Sequence, residues 1–444
     1  MVEVRFKVIL VYLFVLVAPF FMFAIAADKD SLPMWMMGLL ILVFLYDFLL
    51  RDGQFWIDRS FLFVFLWVMA YGFSTILVLL DDFPLSWLSR GAVSRAATID
   101  LRILYVACVF FFMVNILGDF DRKTLKRIFT LQIVIGLLLA AFGILQSVTV
   151  NVFGSKAITT IQPTNTTYLL GSGFSKIVQG VKYYRATGVF GEPSFFAFFL
   201  VPLFVKVLVA TNERLYLFQR RMVNYLSLGI LLAALFANFA LTGLFSVVVI
   251  LLLYSFSLNR AFWFKLILPT LVLFSAIVVF TPIGSILIAR MVNIFELRDL
   301  SVLDRAHRVL IGIEVFVKDA LFGVGPGGYA FYYPRLGGID LSIMATPLNI
   351  WLSILTDVGV VGFLPFLALL VHLLRRGTRA GAAEPLARVY LWSVVSLLVL
   401  LTSLDFWYGE IFWFELALLA VLSRGMVGAR LSDLKAAHPS FSTS

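Results

Sequence analysis

The sequence predicts an all-α, polytopic membrane protein of about twelve transmembrane helices. Three observations predict it: an apolar composition, apolar runs recurring at about 20 residues, and basic residues gathered in the short stretches between them. Of 444 residues, 62% are hydrophobic and 14% charged, where a soluble domain carries roughly a quarter charged residues. No water-soluble fold of this length hides so much apolar surface, so lipid is the solvent for most of it. The whole chain, 1–444, reads as a single transmembrane domain. Its net charge of +10 does not mark a nucleic-acid binder, because the basic residues punctuate apolar runs as the positive-inside rule expects. Cys108 is the single cysteine and lies in an apolar run, which excludes an internal disulfide, and zinc-ligand spacing is absent.

The expected spans, in order, begin with Lys7–Ala27, Pro33–Leu50, Ser60–Leu80, Leu101–Gly118, Ile128–Val150 and Gly188–Ala210. The first is long enough to cross and is followed by others, so it reads as a span and not as a cleaved leader. Asn224–Ala240 and Leu241–Phe256 are nearly continuous and predict a tight helical hairpin. Leu266–Gly284, Pro347–Leu374, Arg388–Leu404 and Ile411–Ser423 complete the set. Basic clusters at Arg122, Lys123, Lys126 and Arg127, at Arg214, Arg220 and Arg221, and at Arg375, Arg376 and Arg379 fall on one side if both termini are cytoplasmic. Two long loops, 151–187 and 285–346, are then external, and 430–444 is a polar cytoplasmic tail. Trp35, Trp87 and Trp407 sit near span ends as interfacial anchors. The span interiors read as nearly uncharged, with Lys206 a rare exception near a cytoplasmic end.

The second external loop holds an amphipathic pattern. Ser301-Val-Leu-Asp304 fits a capping box, and Val302, Ala306, Val309, Leu310, Ile313, Phe316 and Leu321 share one stripe of the helix that follows. Gly323 is the expected stop. This helix should lie flat on or within the external surface. Arg305 and Arg308, three apart, sit side by side and could clamp a phosphate or diphosphate with forked donors. The alternative is a basic interfacial helix facing anionic headgroups. His307 falls on the other flank toward Glu314, either as a general base or as a surface histidine paired with that glutamate. The stretch Gly323-Val-Gly-Pro-Gly-Gly328-Tyr329 marks a tight backbone path whose amides could line a sugar or phosphate, or form a plain turn. In the first loop, Glu192 enters a span at the external surface. An ionisable group there is costly and is a functional candidate, with Arg185 its expected partner, or else a buried ion pair.

At these residues the sequence resembles the polysaccharide polymerase and O-antigen ligase superfamily, the Wzy/WaaL-type membrane glycosyltransferases. Three segments carry the resemblance. The first is Arg185-xx-Gly188-x-Phe190-Gly-Glu192-Pro-Ser194-xx-Ala197. The second is Ser301-xxx-Arg305 followed by the glycine-rich stretch to Tyr329. The third is Asn349, nine residues, then Gly359-Val-Val-Gly362, with Asp357 where an acidic residue is common. Ligases of this superfamily place a histidine where this chain has Leu348, which argues for a polymerase. A serine-arginine pair at the hairpin turn is also missing from Leu241-Thr242-Gly243-Leu-Phe-Ser246, leaving Arg290 or Arg308 to supply that cation.

The resemblance implies a GT-C-like, multi-pass protein of the bacterial inner membrane with its site facing the periplasm or cell exterior. It implies a polyprenyl-pyrophosphate-linked oligosaccharide as substrate, no cofactor, and a possible chain-length-regulating copolymerase as partner beside the lipid bilayer. A growing glycan would leave its diphosphate carrier and join the sugar end of a new lipid-linked repeat unit. On this reading Glu192, Arg305, Arg185 and His307 are the catalytic candidates. Arg308, Arg290, Asn349 and Tyr329 are the substrate-binding ones, with Asn349 also a plain helix cap. Two other functions stay open: a ligase that transfers glycan to lipid A core or protein, and a transporter of lipid-linked oligosaccharide. A transporter would line a central pathway with charges.

Overall fold

The computed structural model describes residues 2–20, 24–26, 30–50, 56–80, 91–154, 175–178, 181–190, 192–256, 299–337, 345–406 and 409–424, with 272, 288, 292, 293 and 296 as isolated positions. Five helices precede the first external loop: α1 (Val2–Val17), α2 (Leu32–Leu50), α3 (Arg59–Leu80), α4 (Ala92–Gly118) and α5 (Arg122–Asn151). Then come α6 (Pro193–Asn212), α7 (Arg221–Asn238) and α8 (Leu241–Ser255). After the second loop begins, the amphipathic helix α9 (Leu300–Lys318) leads to a short α10 (Tyr329–Tyr332). The chain finishes with α11 (Ile350–Gly381), α12 (Pro385–Leu401) and α13 (Glu410–Leu422). Two small antiparallel ribbons, β1 (Ala24–Ala26) with β2 (Asp30–Ser31) and β3 (Ser175–Val178) with β4 (Val181–Tyr184), interrupt an otherwise all-α polytopic protein.

Among the described residues, α3 to α7 and α11 are long and apolar enough to cross a membrane, and three shorter apolar helices accompany them. The hairpin expected at 224–256 is present, its turn reduced to Phe239 and Ala240, with Phe239 in the left-handed region at φ 52°. Several boundaries differ from expectation: α5 begins at Arg122, α6 at Pro193, and α11 runs on to Gly381. The first helix ends at Val17 and passes into a 3-10 turn at Ala18–Phe20. The fourth begins nine residues earlier than its apolar run, taking Arg95, Asp100 and Arg102 into the helix; Arg95 finds a partner on a loop described below, and Asp100 accepts from Thr75 of α3 at 2.6 Å. Apart from residue 272, the span expected at Leu266–Gly284 lies outside the described residues, as do Trp87, Trp407 and the tail at 430–444.

Helix α6 is the centre of the bundle. Every residue from Pro193 to Thr211 except Phe195 is buried, against α5, α7, α8 and α12. In lipid no hydrophobic force drives helices together, so association depends on close packing and internal hydrogen bonds. Small residues permit it: a Cβ added to Gly136, Gly143 or Gly243 would come within 2.4 Å of Leu203, 2.5 Å of Phe196 or 2.8 Å of Ala197. The same core extends to α3, α11 and α13, where Trp67 stacks on Trp413 with ring centroids 5.4 Å apart and lies 5.3 Å from Phe366.

At one end of the bundle, ion pairs tie the basic clusters to carboxylates. Arg122 pairs with Glu384, Arg376 with Asp58, Arg388 with Glu213 at 2.6 Å, and Lys7 with Asp119 at 3.2 Å. Asp121 caps α5 by accepting from the Thr124 amide at 2.8 Å, and hydrogen bonding from the Thr124 hydroxyl, then from that amide, holds its carboxyl below the usual range.

The interior is less apolar than the sequence suggested. Lys206 does not stand as a lone cation near a helix end: it meets Glu415 of α13 at 2.5 Å, with side-chain exposures of 2% and 2%. Such a pair survives in the interior only because each charge neutralises the other and both are hydrogen-bonded.

Candidate functional site

The polar segments singled out in the sequence collect at the opposite end of the bundle, around two helix turns. The first is the α7–α8 turn. Asn238, the last residue of α7 and fully buried, donates through Nδ2 to the carbonyls of Ala186 and Pro193, each at 2.8 Å. The Ala186 amide in turn donates to the Ala237 carbonyl at 3.0 Å. One amide side chain thus fastens both ends of the segment that runs from Arg185 to Glu192.

A second clamp comes from α5. Gln146 Oε1 accepts from the amides of Thr187 and Gly188 at 2.9 and 3.0 Å, and Asn151 exchanges two hydrogen bonds of 2.9 Å with the backbone of Tyr184. Burial pushes the Tyr184 phenol up. Arg185, half-buried, is therefore held between Asn151 on one side and Asn238 on the other. Glu192 occupies the residue before α6, where it makes no capping bond to the helix. Its carboxylate accepts from Ser194 Oγ at 3.3 Å. The ion pair expected between Arg185 and Glu192 is not among the pairs formed by the described residues.

Helix α9 brings Arg305 to the same turn. Its Nη1 donates to Thr242 Oγ1 at 2.9 Å and to the Ser403 carbonyl at 2.8 Å. Thr242 lies in the first turn of α8, four residues after Asn238. Ser403 belongs to the second turn, between α12 and α13. Asn349 reaches that turn too, donating from Nδ2 to the Thr402 carbonyl at 2.8 Å, while its Oδ1 caps α11 through the Leu352 amide at 3.0 Å. Phe406 completes the contact by packing on Phe195 and Phe198 of α6, with centroids 4.9 and 5.3 Å apart. The segments of Arg185, Glu192, Arg305 and Asn349, far apart in sequence, are thus linked through two adjoining turns. Neither α6 nor α8 has a side-chain cap at its start, and a helix N-terminus of that kind favours an anion.

Helix α9 departs from expectation in its cap and in the pairing of its arginines. The cap is Asp299, which accepts from the amides of Ser301 and Val302 at 3.0 and 3.3 Å. With Asp299 as the N-cap the helix starts earlier, so Ser301 falls inside its first turn and no longer marks the helix start. Arg308 turns away from Arg305. It is 8% exposed, pairs with Asp304 at 3.0 Å and lies 4.9 Å from the ring of Tyr333. The two positions are only about 60° apart around the helix, so it is the contacts with Asp304 and Tyr333 that draw Arg308 to the loop side while Arg305 reaches toward α8. His307 lies 6.2 Å from the Tyr333 ring, on the loop-facing flank with Asp304. Tyr329, 2% exposed, donates to the Arg308 carbonyl at 3.0 Å, and burial pushes its phenol up. Arg290 lies outside the described residues.

The glycine-rich stretch does not present an open cradle; the chain itself fills it. Helix α11 breaks at Gly359, with φ 60° and ψ −164°. Around the break, the Val324 amide donates to the Thr356 carbonyl at 2.8 Å and the Gly327 amide to Asp357 Oδ1 at 2.9 Å. The amides of Val360 and Val361 donate back to Ala320 and Leu321 at 2.9 and 3.1 Å. Ser74 of α3 and Arg95 of α4 seal the joint, through the Asp357 carbonyl at 2.7 Å and the Gly327 carbonyl at 3.0 Å. A Cβ at Gly323 or Gly359 would meet backbone at 2.6 or 2.3 Å.

Sequence reasoning missed Asn238, Gln146, Asn151, Thr242 and Ser403. A signal existed for the first two: buried amide side chains within apolar helices are costly unless they are used.

The fold and site define a class: a multi-pass membrane protein that gathers arginines, a carboxylate and helix N-termini without side-chain caps at one end. Residues 226–367, from α7 to the middle of α11, match the family model described as O-antigen ligase. Over that segment, about a third of the chain, the sequence is similar to the O-antigen ligase family. No curated protein matches the chain.

Proposed function

We propose that the protein polymerises lipid-linked oligosaccharide repeat units, moving a growing glycan from its polyprenyl diphosphate onto the sugar end of a new lipid-linked unit. One observation carries the reading: the backbone flanking Arg185 and Glu192, at Ala186 and Pro193, and the Arg305 side chain from a separate loop are all fastened to the α7–α8 hairpin. The diphosphate is a good leaving group once its developing charge is neutralised. Arg185, Arg305 and the first-turn amides of α6 and α8 supply that neutralisation without a metal. As the acceptor oxygen bonds to the anomeric carbon, the bond from that carbon to the diphosphate oxygen breaks. Glu192, on the same loop, takes the hydroxyl proton. His307 is the weaker candidate for this role, because it faces Tyr333 on the opposite flank of α9 from Arg305. Arg308, Tyr329 and Asn349 hold loop and helix in place, with their polar atoms engaged within the chain.

Leu348 favours polymerisation over ligation, since it puts an aliphatic side chain where a ligase histidine is expected. The proposed setting is the outer face of the bacterial inner membrane, because the basic clusters lie at the other end of the bundle. The deciding experiment gives the purified protein one defined lipid-linked repeat unit, alone or with a lipid A core acceptor. A ladder of longer lipid-linked products in the first mixture is the expected result. Product only when core is present would make the protein a ligase.

A further inference from the structure

We infer that Lys206 and Glu415, with Gln132, form a register lock that positions the two sides of the candidate site against each other. The inference rests on the polymerase reading for its activity readout and on geometry for the rest. Lys206 Nζ donates to Glu415 Oε1 at 2.5 Å and to Gln132 Oε1 at 2.9 Å. Gln132 Nε2 donates to the same carboxylate oxygen at 3.0 Å, and Ser393 Oγ to the other at 2.9 Å. Tyr390 donates to Gln132 Oε1 at 2.8 Å, and its ring lies 5.0 Å from the ammonium. Helices α5, α6, α12 and α13 all contribute. A cavity of about 40 Å³ lined by Lys206, Gln132 and Glu415 leaves room for water at the third ammonium hydrogen.

Close contacts at Gly136, Gly143 and Gly243 seat α6 on α5 and α8, but apolar packing alone would not fix α6 against α13. Helix α6 is apolar on all sides from Phe195 to Val205 and from Val207 to Ala210, and α13 is apolar except at Glu410 and Glu415. Two uniformly apolar helices in lipid can rotate or slide with little loss of contact. A single buried polar pair selects one register, as polar core residues do in coiled coils. That register decides the site. The outer end of α6 carries Glu192, and α12 and α13 are joined by the turn whose Ser403 carbonyl holds Arg305. Lys206 and Glu415 touch no substrate in this scheme; they are positioning residues.

The test is the paired apolar replacement Lys206→Met with Glu415→Leu. A buried pair removed as a unit commonly leaves stability intact or raised, so this variant separates positioning from stability. The readouts are thermal unfolding, thiol crosslinking of cysteines placed at Phe195 and Phe406 in a Cys108→Ala background, and ladder synthesis. The expected result is an unfolding midpoint at or above that of the parent, a crosslinking yield reduced at least threefold, and a kcat at least tenfold lower with KM unchanged. Parental crosslinking and kcat in a stable double variant would overturn the lock. If the double variant does not fold, Gln132→Leu decides in its place, with both charges kept: crosslinking should fall by about half, and an unchanged yield overturns the inference. A parent protein that makes no ladder refutes the polymerase reading, while crosslinking still decides the lock.

Discussion

Asn238 does more for the candidate site than any charged residue, because it fastens the segments of Arg185 and Glu192 at once. Asn238→Leu should lower stability by about 1–3 kcal/mol, the cost of stranding buried hydrogen-bonding groups, and should abolish elongation even where the protein still folds. Thermal unfolding in detergent and the ladder assay measure the two effects. For Arg305, charge alone is not the point: its Nη1 already bridges Thr242 and Ser403. Arg305→Lys keeps the charge and loses the planar fork, so kcat should fall at least tenfold. A wild-type rate in that variant would show that any cation suffices. Tyr329 carries a different prediction. Its phenol, pushed up by burial, keeps its proton in the folded state beyond the ordinary tyrosine range. Below about pH 9 it is protonated in both folded and unfolded chains. Tyr329→Phe should therefore cost about 1 kcal/mol, with the same loss at pH 6 and pH 8. A loss that changed over that interval would mean that another group is titrating through Tyr329.

Among elements, the joint between the α9–α10 loop and α11 has the strictest backbone. Gly359 sits at φ 60° and ψ −164°, a region open essentially to glycine, with the Leu321 carbonyl 2.3 Å from where a Cβ would stand. Gly359→Ala should destabilise by about 3 kcal/mol or more, read as a lowered unfolding midpoint. A neutral substitution would mean that α9 is not anchored there. The glycine density was plain in the sequence, but the partner was not: the loop closes on carbonyls that α11 frees at its own break, a long-range match that no local pattern encodes. Helix α9 was legible for the opposite reason, since its stripe is local. Its cap is Asp299 and not Ser301, because the helix starts two residues earlier and a carboxylate there already meets its second and third amides.

For the whole molecule, hydropathy made the all-α membrane fold and the α7–α8 hairpin readable, since a span is a property of consecutive residues. The convergence of Arg185, Arg305 and Asn349 on two turns was readable only as an expected grouping, from resemblance. The amides that produce it, Gln146, Asn151 and Asn238, look like ordinary polar residues in apolar runs. Glu415 was hidden in the same way, and with it the pairing that lets Lys206 stay in the interior. The central claim is that arginines from two loops hold one diphosphate beside the α7–α8 turn. Titration of the purified protein with a short-chain polyprenyl diphosphate, followed by calorimetry, tests it most directly. Arg185→Ala and Arg305→Ala should each weaken binding at least tenfold, while Arg308→Ala, if folded, binds as the parent does. Equal affinity in the parent and in both of the first two variants would contradict the claim.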